Sequence, residues 1–337
     1  MGTPVRIKDI ANDVQLPVST VGNILRNDLR YDKELRQRVT DSAQRLGYLP
    51  NILARGLKGG KTQTVGILFS LGGPHSPIEL VRMIAGGVHE RQYATQLSDS
   101  LCESDVVQDA LRDYIRRGVE AAVVQIIPNM PLKKFEGLFR HFRAVVLVPS
   151  FPLETTADQV VLSRRQAIYD AVDHLLDTGR RRPMILVPPA PREEKIDPFL
   201  SRLRERSCVY QDEPVICHRS HRPATHMAEV AWEALETHCP ASVPFDALLC
   251  GTDEAAVAAC KWLATRGKSV PHDVAVVGFN DSTYSGFLTP ALASINRRDE
   301  QVAHRVTTML FGRLENPDLP PQRVDIDMEF VPRESAG

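Results

Sequence analysis

The feature that most constrains the fold is an alternation of short β-branched segments with helical patterns, which begins after Gln63. Seven segments have the length and composition of buried strands: residues 65–69, 121–127, 144–148, 160–162, 184–187, 247–250 and 274–278. Helical patterns separate most of them, at about 78–93, 104–117, 131–141, 164–178, 224–238 and 253–266. Alternating strands and helices predict an α/β fold with parallel, doubly wound sheets.

The length of this α/β region predicts that it is divided in two. The chain has 337 residues, and the roughly 270 residues that follow Gln63 are more than one such sheet usually holds. We therefore expect two sub-domains with a ligand cleft between them.

The composition argues against several other classes of protein. No apolar run approaches the ~20 residues that cross a bilayer, and the first ten residues lack the apolar stretch of a secretory signal. The six cysteines include no Cys-x-x-Cys pair, and Cys217, His218 and His221 suit a surface loop better than a metal site. The motifs Gly-x-Gly-x-x-Gly after the first strand, Gly-x-Ser-x-Gly and His-Glu-x-x-His are absent. We expect a cytoplasmic protein with reduced thiols that is not an enzyme and has no cofactor or metal.

Charge is distributed unevenly along the chain. Residues 1–61 hold eleven Lys and Arg against six Asp and Glu, a net charge of +5, whereas the other 276 residues hold 30 against 36, a net charge of −6. A basic segment attached to an acidic body suits a module that contacts nucleic-acid phosphates, but a solvated basic face produces the same balance. The residue pattern has to distinguish these two interpretations.

The pattern of the first 49 residues predicts three short helices. Two of them, around residues 5–14 and 18–25, are separated by a break at Gln15-Leu16-Pro17, and a third is expected from an N-cap at Asp32 to about Leu46, closed by Gly47. Two short helices joined by a tight turn are typical of the helix-turn-helix motif, whose second helix enters the major groove of DNA. The helical spacing leaves four residues of the second helix facing outward: Val18, Ser19, Gly22 and Asn23.

Several short motifs occur in register along the chain. They are Ile7-Lys8-Asp9-Ile10-Ala11, Ser19-Thr20-Val21, Arg36-Gln37-Arg38-Val39, Gly47-Tyr48, Pro50-Asn51-Ile52-Leu53-Ala54-Arg55-Gly56-Leu57, His174-Leu175 with Gly179, the run from Gly267 to Asp281, and Leu288-Thr289-Pro290-Ala291-Leu292. At these residues the sequence resembles the lactose/galactose repressor family of bacterial transcriptional regulators. The resemblance implies a helix-turn-helix DNA-binding head at 1–49, a hinge helix and linker at 50–63, and an effector-binding and dimerisation body at 64–337.

The resemblance also implies the internal organisation of the body and its partners. Two periplasmic-binding-protein-like sub-domains are expected, one at about 64–162 and 292–323 and the other at about 163–291 and 324–337. The implied function is repression of a catabolic operon by a homodimer on a palindromic double-stranded DNA operator, with no membrane partner; assembly into a tetramer stays open. The alternative is a solute-binding receptor or ligand sensor without a transcriptional role, but a secreted receptor needs a signal peptide and has no use for a basic head.

The resemblance assigns DNA contacts to the head and the hinge: Arg6, Ile7, Val18, Ser19, Thr20, Asn23, Arg30, Asn51, Ala54, Arg55 and Leu57. Leu57 would be the apolar wedge that enters a base step in the minor groove and kinks the duplex, the other interpretation being a plain linker with one exposed leucine. Gly22-Asn23 stands where the family usually has Ser-Arg. Since Arg reads guanine and Asn reads adenine, we expect DNA binding with an altered operator sequence.

The resemblance also assigns effector contacts, carried over one position at a time: His75, Ser76, Arg164, Lys195, Thr252, Asn280 and Arg297. Asn280 replaces the usual acid, whereas Arg164 and Arg297 replace an amide side chain each. A cation without a counter-charge is costly in a cleft that excludes water. We therefore expect the effector, commonly a sugar in this family, to be anionic here, as a sugar acid or sugar phosphate is. The competing interpretation is that these arginines are surface charges.

Overall fold

The computed structural model of the protein describes residues 5–25, 30–48, 62–71, 77–127, 130–187, 192–208, 210, 212–217 and 227–337. The chain divides into two compact units, Met1–Thr62 and Gln63–Gly337, which we call the head and the body. Several residues named above lie outside the described ranges: Asn51, Ala54, Arg55 and Leu57 of the expected hinge, and His75 and Ser76 of the expected effector site.

The head contains the three helices that the sequence predicts, α1 (Ile7–Val14), α2 (Val18–Ile24) and α3 (Lys33–Leu46). Helix α1 ends where Gln15 adopts a left-handed conformation, and Pro17 directly precedes α2. Asp32 caps α3 by accepting a hydrogen bond from the Leu35 amide at 2.7 Å. Gly47, at a φ of 69°, ends α3 in a conformation that glycine adopts at little cost.

A small apolar core holds these helices together. It contains Ile10, Ala11, Val14, Val21, Ile24, Val39 and Ala43. Asp13 on α1 accepts hydrogen bonds at 2.5 Å from both Ser42 and Arg45 on α3, which adds a polar connection between these two helices. The expectation that Gly22 faces outward is wrong, because Gly22 is buried, as are Val21 and Ile24.

In the described part of the body, strands and helices alternate along the chain. The strands are β1 (Thr64–Phe69), β2 (Ala94–Asp99), β3 (Ala121–Ile126), β4 (Ala144–Pro149), β5 (Asp158–Ser163), β6 (Pro183–Val187), β7 (Val215–Cys217), β8 (Ala247–Cys250), β9 (Ala275–Asn280), β10 (Ala293–Asn296), β11 (Arg323–Asp327) and β12 (Glu329–Val331). The helices are α4 (Ile78–Glu90), α5 (Ser104–Arg116), α6 (Lys133–Phe139), α7 (Arg165–Asp177), α8 (Arg192–Glu205), α9 (Met227–His238), α10 (Asp253–Thr265) and α11 (Asp299–Glu315).

The strands form two separate sheets, as the alternating pattern predicts. The first has the order β11-β5-β4-β3-β1-β2 and is parallel throughout. The second has the order β12-β10-β9-β8-β6-β7 and is parallel except for β12, which runs antiparallel to β10. Central strands such as β4 and β8 are buried along their whole length, because helices cover both faces of a parallel sheet.

The chain passes between the two sub-domains at residues that differ from the expected boundaries. Strand β10 belongs to the second sheet and β11 to the first, so the later crossings follow Asn296 and Asp327. The expected boundaries at 291/292 and 323/324 are therefore wrong by a few residues. The physical reason is pairing: β10 extends the second sheet beside β9, and β11 extends the first beside β5. Helix α11 lies between these crossings and packs on α4, where a Cβ added at Gly87 would lie 2.9 Å from Thr307 Cγ2.

Within the described ranges, no helix combines the length and the apolar composition that crossing a bilayer requires.

Candidate functional site

The expected DNA-reading residues of the head lie at its surface. On α2, Val18 is 52% exposed and Ser19 is exposed, whereas Thr20 and Asn23 are half-buried. The Asn23 amide donates a hydrogen bond to the Tyr31 hydroxyl at 3.4 Å. The three other assigned residues of the described head are Arg6 and Arg30, which are exposed, and Ile7, which is half-buried.

In the body, the charged candidate residues lie at the carboxyl ends of parallel strands. Arg164 follows β5, Lys195 lies in the first turn of α8 after β6, and Arg297 follows β10. Loops at the carboxyl ends of strands form the ligand crevice of open α/β sheets. The expected effector site is therefore built from connections of both sheets.

Arg164 is a largely buried cation with unused hydrogen-bonding capacity. Its side chain is 13% exposed, and its Nη1 lies 3.5 Å from Glu194 Oε1. The Nε and Nη1 atoms of Arg164 are buried without a hydrogen-bond partner. Burial lowers the pKa of Arg164, while Glu194 opposes this shift and Arg297 adds to it. Glu194 also accepts a hydrogen bond from the Ser150 hydroxyl at 2.6 Å, which connects the second sub-domain to the first.

Lys195 is more deeply buried, with 4% of its surface exposed. Its Nζ donates a hydrogen bond to the Gly251 carbonyl at 2.7 Å and lies 3.9 Å from the centroid of the Phe279 ring, in a cation–π arrangement. Burial is the main cause that lowers the pKa of Lys195 to about 7, and Arg164 and Arg297 lower it further. Both charge states of Lys195 are therefore populated near neutral pH.

Arg297 completes the cation cluster. Its side chain is 10% exposed, and its Nη2 lies 2.9 Å from Asp299 Oδ2. The Arg297 Nε has no hydrogen-bond partner, and neither has the second carboxylate oxygen of Asp299. Arg297 lowers the pKa values of both Arg164 and Lys195.

Two cavities adjoin this cluster, each lined by residues of both sub-domains. One, of about 680 Å³, is lined by Arg164, Glu194, Ser150 and Phe151 together with residues of β11. The other, of about 880 Å³, is lined by Arg297 and Asn280 together with residues at the start of α4. Both volumes lie in the range of small-molecule pockets.

Thr252 has a different structural role from the other expected effector contacts. It is fully buried, and its hydroxyl accepts a hydrogen bond from the Ala255 amide at 3.1 Å, which caps α10. Neither of the two cavities includes Thr252 in its lining. Thr252 therefore stabilises a helix that supports the cleft. Asn280, in contrast, lies in the cavity wall beside Arg297.

The sequence reasoning missed three carboxylates of the cleft: Glu194, Asp253 and Asp299. Asp253 is fully buried and accepts hydrogen bonds at 2.6 Å from the Ser282 amide and the Ser294 hydroxyl. Burial raises the pKa of Asp253 despite these hydrogen bonds. Glu194 is adjacent to Lys195 and Asp299 is two residues from Arg297, so a search for acids beside the assigned cations finds both.

Comparisons with known proteins agree with this architecture. A family model of the periplasmic binding protein-like domain matches residues 172–336. The chain is 26% identical over 295 residues to catabolite control protein A of Priestia megaterium, covering 86% of this chain and 87% of that protein. It is 22% identical over 337 residues to the HTH-type transcriptional repressor PurR of Mannheimia succiniciproducens, covering 98% of each. The lac repressor dimer bound to operator and the anti-inducer ONPF matches with a TM-score of 0.84 at 17% identity, covering 99% of each chain.

Fold and cleft together define a ligand-binding protein of the periplasmic-binding-protein-like class whose chain also carries an N-terminal helix-turn-helix unit. These comparisons agree with the resemblance of the chain to the lactose/galactose repressor family of bacterial transcriptional regulators.

Proposed function

We propose that this protein is a transcriptional repressor that binds a palindromic DNA operator as a homodimer and responds to a small metabolite in the cleft of its body. The observation that carries the proposal is the exposed N-terminal face of α2, with Val18 and Ser19, on a helix whose other face is fixed by the head core. A short helix held in this way presents small side chains to base edges in the major groove. The likeness over nearly the full length of HTH-type repressors supports this assignment.

The charge of the head supports the same proposal. Residues 1–61 have a net charge of +5, whereas the rest of the chain has a net charge of −6. Because DNA phosphates supply most of the non-specific affinity, the head should bind DNA and the body should not. A regulator of the chromosome works in the cytoplasm, which fits the expected location.

Exposed apolar side chains on the body support the homodimer. Strand β2 is an edge strand with Leu97 51% exposed, and Ile78 and Leu101 nearby are also exposed. In the second sub-domain, Phe287 is almost fully exposed. Exposed apolar groups and an open sheet edge are usual where another chain binds, and a two-fold dimer matches a palindromic site.

The cleft between the sub-domains supports control by a small molecule. Its two cavities have suitable volumes and hold charged side chains that are buried but incompletely hydrogen-bonded. Sugars, sugar acids and sugar phosphates are the effector classes that we propose. One relative in the solved structures is named as a regulator in complex with cellobiose, at a TM-score of 0.67.

Selection of bound sequences from random DNA with the purified full-length protein tests the proposal. We expect an inverted repeat, with an affinity that falls steeply as salt concentration rises. Removal of residues 1–62 should abolish the binding. Selection of no sequence, or equally tight binding of one half-site and the full site, would contradict the proposal.

Two substitutions should distinguish the expected roles in DNA recognition. Asn23→Ala should relax the preference at one symmetric pair of base positions, at a cost of about 1–3 kcal/mol for a bidentate contact.

Leu57→Ala should reduce operator affinity and the bend angle together, with little change in non-specific binding. An unchanged bend angle in Leu57→Ala would refute the wedge assignment and favour the plain linker.

A further inference from the structure

We propose that helix α11 carries a change in the ligand cleft to the residue at which the head joins the body, and that Arg143 is the positioning residue that completes this route. The inference rests on the proposed function, in which a ligand in the cleft controls DNA binding by the head. It names the helix and the side chains through which that control reaches Gln63, the first residue of the body.

The route begins in the wall of the larger cavity. The first turn of α11 supplies three residues of this wall, Asp299, Glu300 and Gln301. The Asp299 carboxylate lies 2.9 Å from the guanidinium group of Arg297, which follows β10 and lines the same cavity. A ligand in this cavity therefore lies against the beginning of α11, beside the ion pair that holds it.

Helix α11 is a rigid connection between the cleft and the base of the first sheet, where its strands begin. Its 17 residues span roughly 25 Å at about 1.5 Å per residue. Its inner face is buried from Val302 to Leu314, and the missing side chain at Gly87 lets Thr307 approach the backbone of α4 closely. Close-packed interiors have low compressibility, so a displacement of the first turn moves the whole helix.

At its other end, α11 is bound to a side chain that precedes β4. Arg143 Nη2 donates a hydrogen bond to the Leu314 carbonyl at 2.8 Å, and Arg143 Nη1 donates one to Glu120 Oε2 at 3.1 Å. The Glu120 side chain is 6% exposed, and its other oxygen accepts a hydrogen bond from the Gln63 amide at 2.8 Å. Two side chains therefore connect the last turn of α11 to the first residue of the body.

An aromatic contact runs beside these hydrogen bonds. The Phe311 ring of α11 packs edge-to-face on the Tyr93 ring, at 5.1 Å between centroids, and the Tyr93 hydroxyl lies 3.5 Å from Glu120 Oε2. Gln63 itself adopts a left-handed conformation with a φ of 52°, which is uncommon for a residue other than glycine and needs surrounding contacts to hold it. The position of α11 therefore acts on a strained residue directly after the head.

The competing interpretation is that Arg143 and Glu120 only stabilise the base of the first sheet. Both interpretations predict a loss of stability in Arg143→Met, but only the route predicts that Gln63 then stops responding to a change in the cleft. Arg313 provides a matched control at the same end of α11. Its Nη2 lies 2.7 Å from the buried carboxylate of Asp158, which accepts its backbone hydrogen bond from Gln322 instead of Gln63.

Hydrogen exchange of the full-length protein without DNA tests the route. Asp299→Asn is the change in the cleft, because it removes the charge that pairs with Arg297. In the wild-type background it should raise the exchange rate of the Gln63 amide about 5-fold or more. In Arg143→Met this amide should exchange faster from the start, and Asp299→Asn should add less than about 2-fold. In Arg313→Met the full effect of Asp299→Asn should persist.

Binding of the selected operator provides the same cycle at the level of function. Asp299→Asn should change the dissociation constant about 5-fold or more in the wild-type background and less than about 2-fold in Arg143→Met. Substitutions this far apart otherwise have independent effects. Glu120→Gln keeps an oxygen for Gln63 but loses the charge that pairs with Arg143, so it repeats the cycle if Arg143→Met does not fold.

Three results would overturn the inference. They are equal effects of Asp299→Asn at Gln63 with and without Arg143, no response of the Gln63 amide to Asp299→Asn, and loss of the response in Arg313→Met as well. Failure of the inference is distinguishable from failure of the proposed function. Protein that binds its selected operator but shows independent effects of the two substitutions contradicts only the route. Protein in which Gln63 responds through Arg143 but which binds no DNA contradicts only the regulator.

Discussion

At the scale of single residues, the surroundings of Lys195 clearly change the pKa of its side chain. Burial lowers the pKa of Lys195 to about 7 in the folded protein, against an ordinary value of ~10.4 in an unfolded chain. Between these two values the unfolded state binds more protons, so this group makes the protein more stable as pH rises from 7 toward 10. Each pH unit within the window should raise the free energy of unfolding by up to about 1.4 kcal/mol.

Lys195→Met should therefore be more stable than the wild type at pH 7, by a margin that shrinks as pH rises. Urea unfolding of both proteins at pH 6.5, 7.5 and 8.5 measures the difference, in which the contributions of all other titrating groups cancel. A difference in unfolding free energy that is constant with pH would show that Lys195 titrates normally in the folded state.

Gly278 on β9 lies directly against the buried carboxylate of Asp253. A Cβ added there would lie 2.1 Å from Asp253 Oδ1 and 3.1 Å from Leu292 Cδ2. Since the Asp253 carboxylate is buried and held by hydrogen bonds, Gly278→Ala should destabilise the protein by at least about 1–3 kcal/mol. Gly137→Ala is the control, because a Cβ at Gly137 meets no atom within 4 Å and alanine favours a helix. Equal unfolding midpoints of the two variants would disprove the close contact.

Among the elements, α3 depends on a cap that is visible in the sequence. Asp32→Ala removes the acceptor of the Leu35 amide hydrogen bond at 2.7 Å and should cost about 0.5–2 kcal/mol of stability in the head. Asp32→Asn keeps an acceptor of the same geometry and should cost much less. Hydrogen exchange of the α3 amides reports this local stability, and equal exchange rates in both variants would contradict the capping role.

Burial helps to reveal an element in the sequence but does not suffice, because the interior strand β10 and helix α11 have no predicted counterpart. Strands β1, β3, β4 and β8 lie inside their sheets, so their apolar runs locate them within a residue or two. The edge strand β2 reads Ala-Thr-Gln-Leu-Ser-Asp and has little apolar character, so no run marks it. Helix α8 begins with four charged residues and contains Pro198, which hides its helical period.

The sequence identifies candidate residues of the cleft only in part, because position along the chain does not determine the structural role of a side chain. The resemblance assigns Arg164, Lys195 and Arg297 to the effector site, and the structure places the two arginines directly after strands and Lys195 in the first turn of α8. Sequence position alone does not separate a residue that lines a cavity from one that caps a helix, as with Thr252. Nor does it pair an acid of one sub-domain with a hydroxyl of the other, as in the hydrogen bond of Ser150 to Glu194.

At the scale of the whole molecule, three chain crossings connect the two sub-domains of the body. The crossings after β5, β10 and β11 are the connections that hold the sub-domains in register, while the hydrogen bond of Ser150 to Glu194 spans the cleft between them. A ligand that competes for Arg164 acts on the carboxylate that makes this bond. Binding in the cleft therefore has a direct route to the relative position of the sub-domains.

Assembly is the property of the whole molecule that the structure makes most testable. Leu97→Lys places an ammonium group on the exposed apolar edge at β2, and two such groups near a two-fold axis repel each other and lose the burial of Leu97. Sedimentation of the full-length protein at micromolar concentration should show a shift from dimer to monomer, accompanied by loss of tight operator binding. Leu319→Lys is the matched control, since Leu319 is a partly exposed leucine that follows α11 and precedes β11, at the opposite edge of the same sheet. A dimer that survives Leu97→Lys but dissociates in Leu319→Lys would place the interface at the β11 edge instead.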